Sequence, residues 1–217
     1  FSDVITRAVD SSNFRLVEDG FVQEPLRFSC PGATKSFSLS IVIGVGSTMS
    51  AGDVSFAKGV ATRIVDRMNG ISDEVAVLTY DDNVNLQSSF NYIPIVLKQN
   101  IDAINPTGRG NYFWDGVYEG VRYCANDGNR MSRGVLILSN GKGDGGSKNT
   151  NDVVQLAKLA KLPVYSLGIS AVNSDQDMRD LAAQTGGKYF NNADQCVQEL
   201  VDALNGTPPY CTLEYET

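Results

Sequence analysis

The sequence lacks histidine, and its basic residues are few and scattered. Without histidine, the chain has no Ser–His or Cys–His catalytic pair and no histidine-ligated metal. The 18 basic residues are outnumbered by 25 acidic ones, which gives a net charge of −7, and they form no cluster suited to phosphate groups. No apolar run approaches the roughly 20 residues that cross a bilayer. We therefore expect no enzymatic activity, no nucleic-acid partner and no membrane insertion by this segment.

Short apolar runs alternate with helical patterns along most of the chain. The predicted strands are residues 37–43, 74–80, 134–139, 163–169 and, as a short hairpin partner, 84–87. Phe56, Val60, Ile64 and Met68 recur at every fourth residue and predict one apolar helix stripe. A later helix is predicted to begin with Thr150 as its cap. This alternation, with short glycine-rich loops, predicts an α/β fold: a doubly wound, mostly parallel sheet with helices on both faces.

The two flanks differ from this central part. Residues 14–28 predict a β-hairpin that turns at Asp19-Gly20, and "CPGATKS" reads as a linker. We expect an N-terminal arm and linker over residues 1–34, a central domain over 35–206 and a C-terminal strand arm over 207–217. The arms are expected to pair with each other or with a neighbouring domain, as part of a larger multidomain chain.

Four cysteines show no metal-ligand spacing. Right-handed crossovers place Cys124 and Cys196 on helices at opposite faces of the sheet, so a bridge between them is not expected. If a disulfide forms, Cys30–Cys211 is the favoured pair, because it would tie the two arms together.

Glycines follow the first predicted strand in "SIVIGVGSTMS". Gly44-x-Gly46 is reminiscent of a dinucleotide-binding loop, but Met49 stands where that motif needs a third glycine. The glycine-rich stretch 141–147 lacks the Gly-Lys-Ser/Thr ending of a P-loop. Both are read as loops rather than cofactor sites, and we expect no cofactor.

Five segments in sequence order resemble a von Willebrand factor type A domain: "SIVIGVGSTMS", "RGNYFWDGV", "GVLILSNGKGD", "LPVYSLGI" and "LAAQTGGKYF". The resemblance covers about residues 37–205 and implies a Rossmann-like fold. The flanks resemble the arms around this domain in secreted bacterial proteins of the type-A-related class. The resemblance therefore implies a secreted or cell-surface protein with a role in adhesion or protein binding.

Proteins of this family usually bind a metal ion through an Asp-x-Ser-x-Ser motif, a Thr and a later Asp. On this chain the five positions fall on Gly44, Gly46, Thr48, Asn111 and Asn140. Both family carboxylates are thus absent. Because Mg²⁺ is normally held by one or two carboxylates plus waters, we expect a degenerate, metal-free adhesion site. The alternative is a displaced ion held by Asp81, Asp82, Asp115 or Asp144.

The loop before the middle helix carries the remaining candidates. Tyr112 and Trp114, if exposed, would anchor a protein partner, and Arg109 could pair with a partner carboxylate in place of the absent cation. If these aromatic residues only cover the loop, with Phe113 packed inward, the domain is instead an architectural spacer without a ligand at this edge.

Overall fold

The structure, a computed structural model, describes residues 16–19, 21–23, 27–29, 35–143, 145–170, 175–206 and 212–214. The strands, in chain order, are β1 (Leu16–Glu18), β2 (Phe21–Gln23), β3 (Arg27–Ser29), β4 (Phe37–Gly44), β5 (Glu74–Tyr80), β6 (Val84–Asn91), β7 (Ser132–Ser139), β8 (Val164–Gly168), β9 (Tyr189–Phe190) and β10 (Thr212–Glu214). The helices are α1 (Ala51–Arg67), α2 (Pro94–Asp102), α3 (Phe113–Asp127), α4 (Thr150–Leu159), α5 (Gln176–Thr185) and α6 (Ala193–Asn205). The chain divides into two compact units, one of which is Ser36–Asn205 and the other the two flanks.

The flanking unit contains two small antiparallel pairs. β1 pairs with β2 around Asp19, whose φ of 50° lies in the left-handed region. β3 pairs with β10, in a register that places Arg27 opposite Glu214 and Ser29 opposite Thr212. The predicted hairpin and the predicted pairing of the two arms are both present in the described residues. Cys30 and Cys211 lie outside those residues, so their bridge stays a prediction.

The central unit is built on one six-stranded sheet with the order β6-β5-β4-β7-β8-β9. Five strands, β5, β4, β7, β8 and β9, run parallel to one another, and β6, at one edge, runs antiparallel to β5. The predicted α/β fold class is confirmed. β6 is longer than its predicted extent of 84–87, because it follows β5 past two register shifts.

Helices cover both faces of this sheet, as predicted. Side chains of β4 alternate between the faces: Leu39, Ile41 and Ile43 pack with α1, α2 and α6, while Val42 packs with α3, α4 and α5. Every residue of β4 and β5 is buried. Burial on both faces is typical of parallel strands covered by helices and explains why both strands are largely apolar, although Ser38 and Glu74 are polar residues within them. Among the described helices, none is both long and apolar enough to cross a membrane.

Two local predictions were wrong. The buried face of α1 consists of Val54, Ala57, Val60, Ala61, Ile64 and Val65. Phe56, predicted to lie on the stripe, is 47% exposed. A strict four-residue repeat turns by about 40° at each step around a helix with about 3.6 residues per turn, so Phe56 falls beyond the edge of the face. The cap of α4 is Asn149 rather than Thr150, and its side chain accepts hydrogen bonds from the N–H groups of Asn151 and Asp152.

The two described cysteines are free thiols on opposite layers of the core. Cys124 of α3 and Cys196 of α6 are both buried, which agrees with the prediction that they form no bridge. Burial raises the pKa of each thiol to about 12. These thiols stay protonated and unreactive at neutral pH.

Candidate functional site

The five residues at the family's metal-binding positions lie together at the carboxyl edge of the sheet. They end β4, follow β7, or precede α1 and α3: Gly44, Gly46, Thr48, Asn111 and Asn140. In an open α/β sheet this edge is where ligands are usually held. The structure thus brings the five predicted positions together around one crevice, and their role in binding stays a prediction. The chemistry of the crevice depends on what occupies the space between these residues.

Tyr80 fills the space beside Gly44. The two residues are paired in the register of β4 and β5, and a Cβ added to Gly44 would lie 2.8 Å from the Tyr80 hydroxyl oxygen. That hydroxyl is fully buried and lies 2.6 Å from the Ser139 hydroxyl at the end of β7. The position of the first family carboxylate is therefore bordered by a neutral phenol–hydroxyl pair.

Main chain fills the space beside Gly46. A Cβ built on Gly46 would lie 2.1 Å from the carbonyl oxygen of Gly110 and 3.3 Å from that of Arg109. The contact is reinforced because the N–H of Ser47 donates to the Arg109 carbonyl at 2.5 Å. The loop before α3 is thus pressed against the loop after β4. No side chain fits at position 46 unless the backbone moves.

Asn140 joins the loop after β4 to the loop after β7. Its Nδ2 donates to the backbone oxygen of Thr48 at 2.6 Å, and its Oδ1 accepts from the Thr48 hydroxyl at 3.3 Å. The same Oδ1 accepts from the N–H of Lys142 at 3.1 Å. Asn140 is 3% exposed. An amide supplies both a donor and an acceptor to this loop contact, which an ionised carboxylate cannot do.

Asn111 has a similar bridging role. It is fully buried, and its Nδ2 donates to the backbone oxygen of Lys142. The N–H of the next residue, Tyr112, donates to the Asp81 carbonyl at 2.7 Å. The crevice is therefore linked across its loops by neutral groups.

The acidic residues proposed for a displaced ion have local hydrogen-bond partners. Asp81 accepts from the N–H of Asn83 at 2.8 Å, and Asp82 accepts from the amide of the same asparagine at 2.9 Å. Asp115 accepts from the N–H and hydroxyl of Ser147 at 2.8 Å each. Asp144 lies outside the described residues. Within the described part of the chain, no group of three or more acidic or cysteine side chains is placed to hold a metal ion.

The aromatic residues beside the crevice are partly covered. Phe113 packs inward and is 1% exposed, and its ring meets that of Trp114 edge-on at a centroid distance of 4.8 Å. Tyr112 and Trp114 are both half-buried. A Cβ on Gly145 would lie 2.5 Å from the Tyr112 ring, so the loop after β7 covers that ring. Arg109 is exposed.

Sequence reasoning missed Tyr80 and Ser139. Both end apolar strands and read as ordinary strand residues. The signal that would have found them is the pairing of a large residue with a glycine on the neighbouring strand, and this requires the register of β4 against β5.

Comparison with known proteins assigns this architecture. The profile of the von Willebrand factor type A domain matches residues 39–203. The chain belongs to the von Willebrand factor type A domain family. No curated protein sequence matches it.

Several solved structures share the fold at low sequence identity. An aerotolerance-related membrane protein from Bacteroides fragilis is 16% identical, with a TM-score of 0.62 over 78% of this chain and 99% of that chain. The vWF domain of the type V pili tip protein Mfa5 from Porphyromonas gingivalis is 12% identical, with a TM-score of 0.62 over 82% and 99%. Proximal thread matrix protein 1 from the mussel byssus is 15% identical, with a TM-score of 0.64 over 86% and 51%. At these identities the likeness establishes the fold.

Proposed function

We propose that this type A domain is a non-enzymatic protein-binding or adhesion module that works without a metal ion at the family's metal-binding position. We further propose that it belongs to a secreted or surface protein. The names of two structural neighbours, a membrane protein and a pilus tip protein, support this setting. The lack of histidine throughout the sequence supports a role without acid–base or nucleophilic catalysis.

The contact between Gly46 and Gly110 carries the metal-free proposal. A family serine at position 46 would need space that the Gly110 carbonyl occupies, since even a Cβ would approach that oxygen to 2.1 Å. Gly44 likewise offers no ligand atom from its side chain. The remaining side chains, Thr48, Asn111 and Asn140, are neutral. A divalent ion that loses part of its hydration shell here would meet no carboxylate to compensate it.

The proposed binding surface is the rim of this crevice. It comprises Gly44, Gly46, Thr48, Asn111, Asn140, Arg109, Tyr112 and Trp114. Arg109 is the exposed charged residue among them and would pair with a carboxylate of the partner. Tyr112 and Trp114, half-buried, would contribute ring edges rather than whole faces.

Thermal unfolding with and without divalent cations tests the metal-free proposal. The Tm measured in EDTA should equal the Tm measured in millimolar Mg²⁺, Ca²⁺ or Mn²⁺ without EDTA. An ion present at 100 times its dissociation constant would add about 2.7 kcal/mol to the free energy of unfolding. A type A domain with an intact Asp-x-Ser-x-Ser motif serves as the positive control. A clear cation-dependent rise in Tm would overturn the proposal, and Asp82→Asn and Asp115→Asn would then locate the displaced ion.

A second function, an architectural unit without a ligand at this edge, is favoured by the flanking strands. β3 and β10 pair although the whole central unit separates them in sequence. This pairing suits a domain inserted into a β-rich neighbour, and we retain the proposed division into 1–34, 35–206 and 207–217.

Capture of proteins from the surface fraction of the source organism separates the two functions. The rim proposal expects Arg109→Ala to reduce capture and Arg122→Ala, an exposed control on α3, to leave it unchanged. Equal capture by both variants favours the architectural role.

A further inference from the structure

A second depression lies on the same edge of the sheet, away from the family's metal-binding position. It is a groove of about 390 Å³ between the start of α1 and the end of β8. Its lining includes Gly52, Asp53, Phe56, Ile169, Ser170 and Asn191. None of the five residues at the family's metal-binding positions lines it, and β7 separates β8 from β4 in the sheet. We therefore treat the groove and the crevice as separate features.

An exposed aromatic ring forms one wall of the groove. Phe56 is 47% exposed, whereas Phe37, Phe113 and Phe190 are at most 2% exposed. The buried face of α1 is complete without Phe56, because six other side chains of that helix fill the core contact. The ring is thus available to a ligand, and its face can attract a cation.

One carboxylate lies beside this ring. Asp53 is the charged residue among the described residues that line the groove. Its Oδ2 accepts from the N–H and hydroxyl of Ser50 at 2.9 and 2.7 Å, and its Oδ1 accepts from the Ser170 hydroxyl. Burial opposes ionisation, but the hydrogen bonds from Ser170 and Ser50 outweigh it and lower the pKa of Asp53 below its usual value. A carboxylate has about four lone-pair directions, so these three contacts leave one on Oδ1.

We propose that this groove binds a basic side chain of a protein partner, an arginine in particular. The guanidinium would lie against the Phe56 ring, as arginine does on aromatic faces. It would donate one hydrogen bond to Asp53 Oδ1 and another to the side-chain oxygen of Asn191. The net charge of −7 on the chain also favours a basic partner. This site goes beyond the rim proposed above and does not depend on it.

Other ligand classes fit the groove less well. An anion would be repelled by Asp53. A divalent cation would find one carboxylate, with most of its lone pairs already used. A purely apolar ligand would cover Asp53 without giving it a partner, which is unfavourable for an ionised group. An arginine side chain satisfies both the ring and the charge.

Titration with a single amino-acid derivative tests the proposal on the whole chain. Amide chemical shifts are followed by ¹H–¹⁵N NMR while N-acetyl-arginine methylamide is added up to tens of millimolar. N-acetyl-citrulline methylamide, which has nearly the same shape without the charge, is the matched control ligand. We expect saturable shifts at Gly52, Gly168 and Ser170 with the arginine derivative, reduced in high salt, and binding at least about threefold weaker with citrulline, in line with the size of exposed cation–π and ion-pair contacts.

Matched variants locate the effect. Phe56→Ala and Asp53→Asn should each weaken arginine binding about two- to fivefold. Tyr92→Ala removes another exposed aromatic residue, and Asp152→Asn changes the same capping position on α4; both should bind as the unmodified chain does. If Asp53→Asn fails to fold, Phe56→Ala still decides. Non-saturable shifts, equal binding of citrulline, or an unchanged affinity in Phe56→Ala would overturn the proposal.

Discussion

The crevice between β4 and β7 and the groove between α1 and β8 lie on one edge of the same sheet, yet their contents differ. In the crevice, glycines let neighbouring groups come close, and the Gly110 carbonyl and the Tyr80 hydroxyl take up the space. In the groove, Gly52 adjoins open space, with an ionised carboxylate and an exposed ring beside it. Glycine content alone therefore does not mark a binding site. What matters is whether a ligand or the protein itself occupies the room that the missing side chain leaves.

Substituting one glycine in the crevice and one in the groove should give the largest difference in stability between the two regions. Gly46→Ala places a methyl group against the Gly110 carbonyl and should lower the free energy of unfolding by about 2–3 kcal/mol, the usual cost of overpacking. Gly52→Ala, in the first turn of α1, meets only the Ser50 hydroxyl at an ordinary 3.6 Å. It should raise the free energy of unfolding by about 0.5 kcal/mol, through reduced freedom of the unfolded chain. Urea unfolding of both variants measures this. Similar changes in the two would mean that the crevice is not closed by its own backbone.

The crevice and the groove should also differ in how their contributions to stability depend on pH. The contribution of Tyr80 in the crevice should change in alkali, and that of Asp53 in the groove should change in acid. Burial raises the pKa of Tyr80 above its usual 10.0, and the Ser139 hydrogen bond offsets this only in part. The unfolded state ionises first, so the stabilising contribution of Tyr80 is complete below about pH 10 and is lost as the pH rises. Tyr80→Phe should lower the free energy of unfolding by about 1–2 kcal/mol at neutral pH. At alkaline pH the stability of this variant should fall less steeply than that of the unmodified chain.

The pKa of Asp53 shifts in the opposite direction to that of Tyr80, and we expect a smaller effect on the free energy of unfolding. Its pKa is lowered in the folded state, so its contribution is complete above the usual value of 3.8 and is lost as the pH falls below it. Asp53→Asn should therefore be less stable than the unmodified chain at neutral pH and should approach it in acid. Thermal unfolding from pH 2 to pH 11 measures both limbs. Parallel curves for the unmodified chain and both variants would contradict the assigned causes.

Much of the fold follows from patterns that need no knowledge of contacts. The uncharged runs 37–43, 134–139 and 163–169 are long enough for strands, and such runs occur where helices cover both faces. The clustering of the candidate site residues could be predicted, because the carboxyl ends of parallel strands meet at one edge. The packing between them could not, because the approach of Gly110 to Gly46 depends on loop conformations that residue spacing does not encode. Phe56 was predicted on the wrong face for a related reason. A four-residue repeat follows the apolar face of a helix only approximately, and whether a residue at the edge of that face is buried depends on what packs against it.

The pairing of β3 with β10 has a mechanical consequence. Arg27 lies opposite Glu214 at the end of the pair from which both outer chain segments leave, and Ser29 lies opposite Thr212 at the end that leads into the central unit. Tension applied through the outer segments would open this ladder from the Arg27–Glu214 end, one residue pair at a time. While β3 and β10 stay paired, the hydrogen bonds between them carry the tension, and no tension reaches Ser36–Asn205. The two short strands must therefore separate before the six-stranded sheet is stretched.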